Sequence, residues 1–169
     1  MIPRYPGIQF WTFWAITYIA TALVLVFLTH SQHPAGGIQG LTALAQGVFA
    51  GHDTLTHDYP AWMWGWTEIH RSGRIPLWNP SWFGGEAFIA SQTFMVFYPA
   101  NWLGGCLSTP IAFNIQYPLH LVFAGLVMAW TCKRRKIHPF AAGMAGLTWG
   151  FGSHLASLIG PGHLQKLQA

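Results

Sequence analysis

The sequence predicts an all-α integral membrane protein with three transmembrane helices and a large outer loop carrying short interfacial helices. Charged residues are only 7% of the 169-residue chain and apolar residues 52%, whereas a soluble domain carries roughly 25% charged residues to cover a water-facing surface. Three apolar stretches approach the roughly 20 residues that a helix needs to cross a bilayer. Ten tryptophans suit a chain with much surface at the headgroup level, where indole rings are favoured.

Residues 1–9 precede the first span, 10–29, which has no charge, glycine or proline. Its length exceeds the apolar core of a signal peptide and no clean cleavage site follows, so it reads as a retained anchor. A loop over 30–109 comes next. Its early stretch GIQGLTALAQGVFAG reads as a short helix lying on the membrane. The spacing predicts an interfacial amphipathic helix near 60–71: Pro60 suits a first turn, Ser72-Gly73 ends the run, and Trp62, Trp66, Ile69 and Met63 share a face. From Gly73 to the loop's end no regular structure is expected. The second span, 110–131, is polar in its first half, with Asn114, Gln116 and His120, and Pro118 is expected to kink it or mark its start. A basic loop, 132–138, leads to the third span, 139–159, where Gly146 and Gly150 form a GxxxG pair suited to close helix packing. Residues 160–169 form an outer tail.

Charge sets the expected orientation. Arg4 precedes the first span, and Lys133-Arg134-Arg135-Lys136 joins the second to the third. By the positive-inside tendency both are cytoplasmic, which puts the long loop and the C-terminal tail outside. The net charge of +4 therefore reads as a boundary marker rather than a nucleic-acid surface. Cys106 and Cys132 fall near opposite membrane faces, too far apart for a bridge, and read as free thiols.

The long loop holds all four acidic residues, Asp53, Asp58, Glu68 and Glu86, so chemistry is expected there. Asp53 and Asp58 each follow a histidine. Carboxylates just outside a span can accept a proton, bind a divalent cation or orient a head group, and His57 with Asp53 is the candidate metal pair. Either aspartate can instead cap a helix or turn. His120 and His154 lie inside spans, where a histidine needs a partner. His120 is the candidate ligand for haem or a pigment, against a plain hydrogen bond to a neighbouring helix. The clusters WMWGW and WNPSWF read as interfacial anchors, with a sugar or isoprenoid cradle as the alternative.

Several short motifs stand in a recognisable order: Gly51 and Asp53, Tyr59-Pro60, Glu68 with Ser72-Gly73, Pro76-Leu77-Trp78-Asn79-Pro80, Phe83-Gly84-Gly85, Phe97-Tyr98-Pro99 with Asn101, His120-Leu121 and Ala124-Gly125. From about Gly51 to His163 the chain resembles the N-terminal part of the YfhO-like bacterial membrane proteins, which belong with the GT-C glycosyltransferases. The resemblance implies transfer of a sugar from a polyprenyl-phosphate donor at the outer leaflet. It makes Asp53, then Asp58, the catalytic carboxylate, sometimes with a divalent metal ion. Arg71, Arg74 and His163 become the donors to the departing phosphate, with Glu68 as a further substrate-binding candidate. Relatives of that kind are longer and have more spans, so this chain is expected to be a fragment or a truncated relative, inactive alone and completed by other subunits. The alternative function is a non-catalytic membrane subunit of a larger photosynthetic or respiratory complex.

Overall fold

A computed structural model describes residues 8–31, 54–159, 163, 164 and 166. The chain is helical, and among the described residues no strand forms beyond one isolated antiparallel bridge, Asn79 with Glu86. In chain order the helices are α1 (Ile8–Ser31), α2 (Tyr59–Ser72), α3 (Thr109–Asn114), α4 (Gln116–Arg134), α5 (Pro139–Gly150) and α6 (Ser153–Ile159). One π-helical turn, Thr54–Asp58, leads into α2, and two 3-10 turns, Phe88–Ala90 and Pro99–Gly105, punctuate the segment after it. Among the described residues two stretches are long and apolar enough to cross a membrane: Ile8–Leu25 in α1 and Thr109–Arg134 across α3 and α4. The surface helix expected before Gly51 lies outside the described residues.

The helix boundaries follow local chemistry. Pro60 enters the first turn of α2, where its missing N–H costs nothing. Gly73 closes that helix at φ 67°, donating its N–H to Ile69 O at 2.8 Å. The break between α3 and α4 falls at Ile115, three residues before Pro118. Proline cannot donate to the carbonyl of Asn114, so the helix restarts there while Leu119 N still reaches Ile115 O at 3.1 Å. At the other end of α4 the chain reverses within four residues. Lys136 takes a left-handed φ of 59°, Ile137 N bonds Cys132 O at 3.1 Å and Lys136 N bonds Lys133 O at 2.9 Å. This is a Schellman closure built without glycine.

The reversal lays α5 back along α4, and their packing is the most extensive helix contact in the chain. At the crossing, a Cβ on Gly150 would come 2.7 Å from Leu121 O, and one on Gly125 would come 3.0 Å from Gly146 O. The expected glycine pair therefore lines the seam. Helix α1 presents Phe10, Trp14, Tyr18 and Ala22, one residue every four, and all are buried. Trp14 lies over Gly143, and Tyr18 donates its hydroxyl to Gly143 O at 2.9 Å. Outward faces of the same helices stay apolar: Ile16, Leu23 and Val24 on α1, Phe123, Val127 and Trp130 on α4, Phe140, Met144 and Trp149 on α5. Thr12, Thr17 and Thr21 each bond the carbonyl four residues back, which removes their polarity from that surface.

Two expectations change. The third predicted span is interrupted: α5 ends at Gly150 and α6 begins at Ser153. Its 12 residues rise about 18 Å, well short of the roughly 30 Å of a hydrocarbon core. Helix α2 is amphipathic as expected, but its apolar face is not interfacial. Trp62 and Trp66 are buried among Phe88, Phe94 and Phe113, while Met63 is exposed. The aromatic stripe is satisfied by the protein because residues 88–105 fold back over it, so the two indoles are core rather than membrane anchors. Cys106 and Cys132 are free thiols.

The glycine seam gives a test. Gly146→Leu drives a side chain into Tyr18 and Gly125 and is expected to destabilise the bundle by about 1–3 kcal/mol or more. Ala141→Leu on the exposed face of α5 should stay within about 0.5 kcal/mol of wild type. Thermal midpoints of the detergent-solubilised variants measure both.

Candidate functional site

The polar first half of the second predicted span forms the floor of the candidate site. Asn114, Gln116, Tyr117 and His120 are all buried, at 3%, 0%, 0% and 7% exposure. They are buried by the segment 54–105, which docks on α3 and the start of α4 as a cap. Its contact layer is aromatic: Trp62 and Phe113 ring centroids lie 5.5 Å apart, Trp66 and Phe94 6.0 Å, Phe88 and Phe94 4.9 Å. Gly104 permits the closure, since a Cβ there would fall within the Trp66 indole. Leu158, Ile159 and Leu164 are buried as well, and the last two join the same core.

Polar connections cross from cap to helix. Thr54 Oγ1 lies 3.3 Å from Tyr117 Oη. Tyr98, from the Phe97-Tyr98-Pro99 motif, stacks on His120 with centroids 5.4 Å apart and places its Oη 2.5 Å from Nε2. His120 Nδ1 lies 2.5 Å from Gln116 O. A carbonyl only accepts, so Nδ1 carries the proton. Nε2 is then the acceptor and Tyr98 donates to it, which fixes both the tautomer and the direction of the chain. In this geometry both ring nitrogens hydrogen-bond within the protein, the alternative to ligation named for His120.

Asp58 occupies the residue before α2 and is 5% exposed. It sits at the N-cap position but is not a side-chain cap: its backbone is helical, continuing from the π turn, and its side chain makes no capping bond. It belongs to the turn Thr54–Asp58, whose Thr54 meets Tyr117. The other candidates are dispersed. Glu68 and Arg71 pair at 2.6 and 3.0 Å on the exposed side of α2, and hydrogen bonding from Arg71 holds the Glu68 carboxyl below its usual range. Arg71 lies 13 residues beyond Asp58, about 20 Å along a helix. Arg71 and Glu68 therefore stand apart from Asp58 along α2. Arg74 is exposed beyond the end of α2, where its backbone N–H meets Ser72 Oγ at 3.2 Å. His57 is exposed with its ring edge-on to Trp82. His163 accepts from Lys166 Nζ at 3.1 Å and adjoins Leu164 of the cap core. Asp53 lies outside the described residues. Among the described residues no three of His, Cys, Asp and Glu group closely enough to hold a metal ion.

Glu86, the fourth acid, closes a tight loop. Asn79 and Glu86 exchange backbone hydrogen bonds of 2.9 Å in each direction, and Ser81 N donates to Asn79 Oδ1 at 2.9 Å. Asn101 ties the next stretch by donating to Phe94 O at 2.6 Å and Met95 O at 3.0 Å. Sequence reasoning did not single out Tyr98, Tyr117 or Thr54 as site residues. The available signal was the polar run from Asn114 to His120 in an otherwise apolar segment, which required a polar covering.

No protein-family model, curated protein or solved structure matches this chain.

Burial holds the Tyr98 hydroxyl above its usual range. With the folded value the higher, the contribution of the neutral phenol is complete below about pH 10 and is lost as pH rises from there toward the folded value. Ionisation also removes the proton that His120 accepts. Tyr98→Phe is therefore expected to flatten the loss of stability above pH 10. At neutral pH it should cost about 1–3 kcal/mol, because a buried acceptor loses its donor. Denaturation midpoints measured across pH for both proteins check the two effects.

Proposed function

We propose that this chain is the membrane-anchored first module of a GT-C-like glycosyltransferase of the YfhO-like kind, acting on a sugar carried by polyprenyl phosphate at the outer face of a bacterial inner membrane. The observation that supports it is the burial of Asp58 in the turn Thr54–Asp58, whose Thr54 meets Tyr117 at the junction of cap and bundle. A carboxylate withdrawn from water costs free energy, and such groups concentrate where proton transfer is needed. In the proposed reaction an acceptor hydroxyl attacks the anomeric carbon, its proton passes to the carboxylate, and the bond from that carbon to the phosphate oxygen breaks. The leaving phosphate takes up the negative charge. Of this chain's candidate donors to it, His163 adjoins the core that holds Tyr117, whereas Arg71 stands about 20 Å along α2 from Asp58.

The bilayer reading is supported by the outward apolar faces of α1, α4 and α5. The N-terminal half of α1 meets the basic reversal, with Lys133 Nζ 4.6 Å from the Trp11 ring centroid. A non-catalytic subunit of a larger membrane complex is the second reading, favoured by the short α5 with Phe140, Met144 and Trp149 exposed.

Asp58→Asn in the full-length protein is expected to lower sugar transfer from a polyprenyl-phosphate donor by about 10²-fold or more, the usual worth of a general base. Unchanged transfer removes Asp58 from the mechanism. Absence of any transfer by wild type, with co-migration in a larger membrane complex, favours the subunit reading. Orientation is tested by thiol labelling of intact cells with a membrane-impermeant maleimide. Cys106 should label from outside, and Cys132 only after the membrane is opened.

A further inference from the structure

The end of the bundle opposite the cap carries a cleft of about 470 Å³ lined by Trp11, Trp130, Lys133 and Arg134. A second cleft of about 390 Å³ shares Trp11 and Trp130 as walls and is completed by Phe123, Leu126 and Val127. Together they form a shallow open groove on the α1–α4 face with a cationic end and an apolar floor. The cations are held by aromatic rings. Lys133 Nζ lies 4.6 Å from the Trp11 ring centroid and 5.4 Å from that of Phe10, and the Arg134 guanidinium lies 5.2 Å from the Trp130 ring. A ring face positions a cation without cancelling its charge. No Asp or Glu follows Glu86 in the sequence, and among the described residues the ion pair formed is Glu68 with Arg71. Two positive charges thus stand over an apolar groove with no carboxylate from α4 or α5 to meet them.

We infer that this groove binds one anionic phospholipid of the leaflet on the basic side, its phosphate between Lys133 and Arg134 and an acyl chain along Leu126, Val127 and Phe123. The inference rests on the bilayer reading above. Dimensions select a lipid over free phosphate. From Phe123 to Arg134 is 11 residues, about 16 Å of helix, which matches half of a roughly 30 Å hydrocarbon core. A free anion would use the cationic end and leave the apolar floor uncovered, whereas a lipid occupies both. Basic clefts between spans on the cytoplasmic side are the recognised setting for anionic headgroups.

The test uses the full chain reconstituted in phosphatidylcholine vesicles containing a minor fraction of phosphatidylglycerol, then extracted and analysed by native mass spectrometry for bound lipid. Phosphatidylglycerol should be retained about tenfold or more above its bulk share. The double variant Lys133→Gln/Arg134→Gln should lose that enrichment, while Arg135→Gln/Lys136→Gln, which removes the same charge outside the groove, should keep it. An excess of inorganic phosphate should not displace the lipid. Equal loss in both double variants, or displacement by inorganic phosphate, overturns the inference. A chain that inserts into vesicles without enriching phosphatidylglycerol sinks the lipid site alone. A chain that fails to insert into vesicles of any composition sinks the bilayer reading and the lipid site with it.

Discussion

Where α4 crosses α5, two helix backbones come into contact because neither presents a side chain. Gly125 faces Gly146, and Gly150 faces the Leu121 carbonyl. The gain is dispersion between close-packed backbones, available only when no Cβ intervenes. Much else depends on this approach. It opens a groove on the α5 side into which α1 sets Trp14 and Tyr18. It thereby fixes the direction of α1, bringing Phe10 and Trp11 to the basic reversal. It also sets the rotation of α4, and so which of its residues face the cap and which face outward.

That rotation resolves the mixed character of α4. Its first half carries amide, phenol and imidazole groups that an apolar surrounding would leave unsatisfied. The cap supplies Thr54 and Tyr98 as partners and an aromatic layer as cover. Cap and helix are thus mutually dependent, since α2 buries its tryptophans only by docking and α4 satisfies its polar turn only when docked. The same junction holds Asp58, so the carboxylate's position is set by packing rather than by the local turn.

Charge is segregated along the chain. The acids are confined to the residues before α3, and the dense basic cluster forms the reversal between α4 and α5. Acid and base meet on the exposed side of α2, in the Glu68–Arg71 pair. The acids and the dense basic cluster thus stand at different places along the fold.

The sequence by itself determined the helical character, the two long apolar segments, the glycine packing, the extent of α2 and the gathering of basic charge. All of these follow from local periodicity, from the special backbones of glycine and proline, or from composition. Tertiary structure decided the rest. That Trp62 and Trp66 enter a core, that α5 stops at Gly150, that Tyr98 engages His120 and that Arg71 stands far from Asp58 depend on contacts between residues distant in sequence or on direction along a rigid helix. Motif order placed Asp58, Glu68 and Arg71 within a short stretch, but a helix converts short sequence separation into about 20 Å of space. Amphipathic spacing likewise identified a face on α2 to be buried without saying what would bury it, because lipid and an aromatic cap satisfy the same stripe.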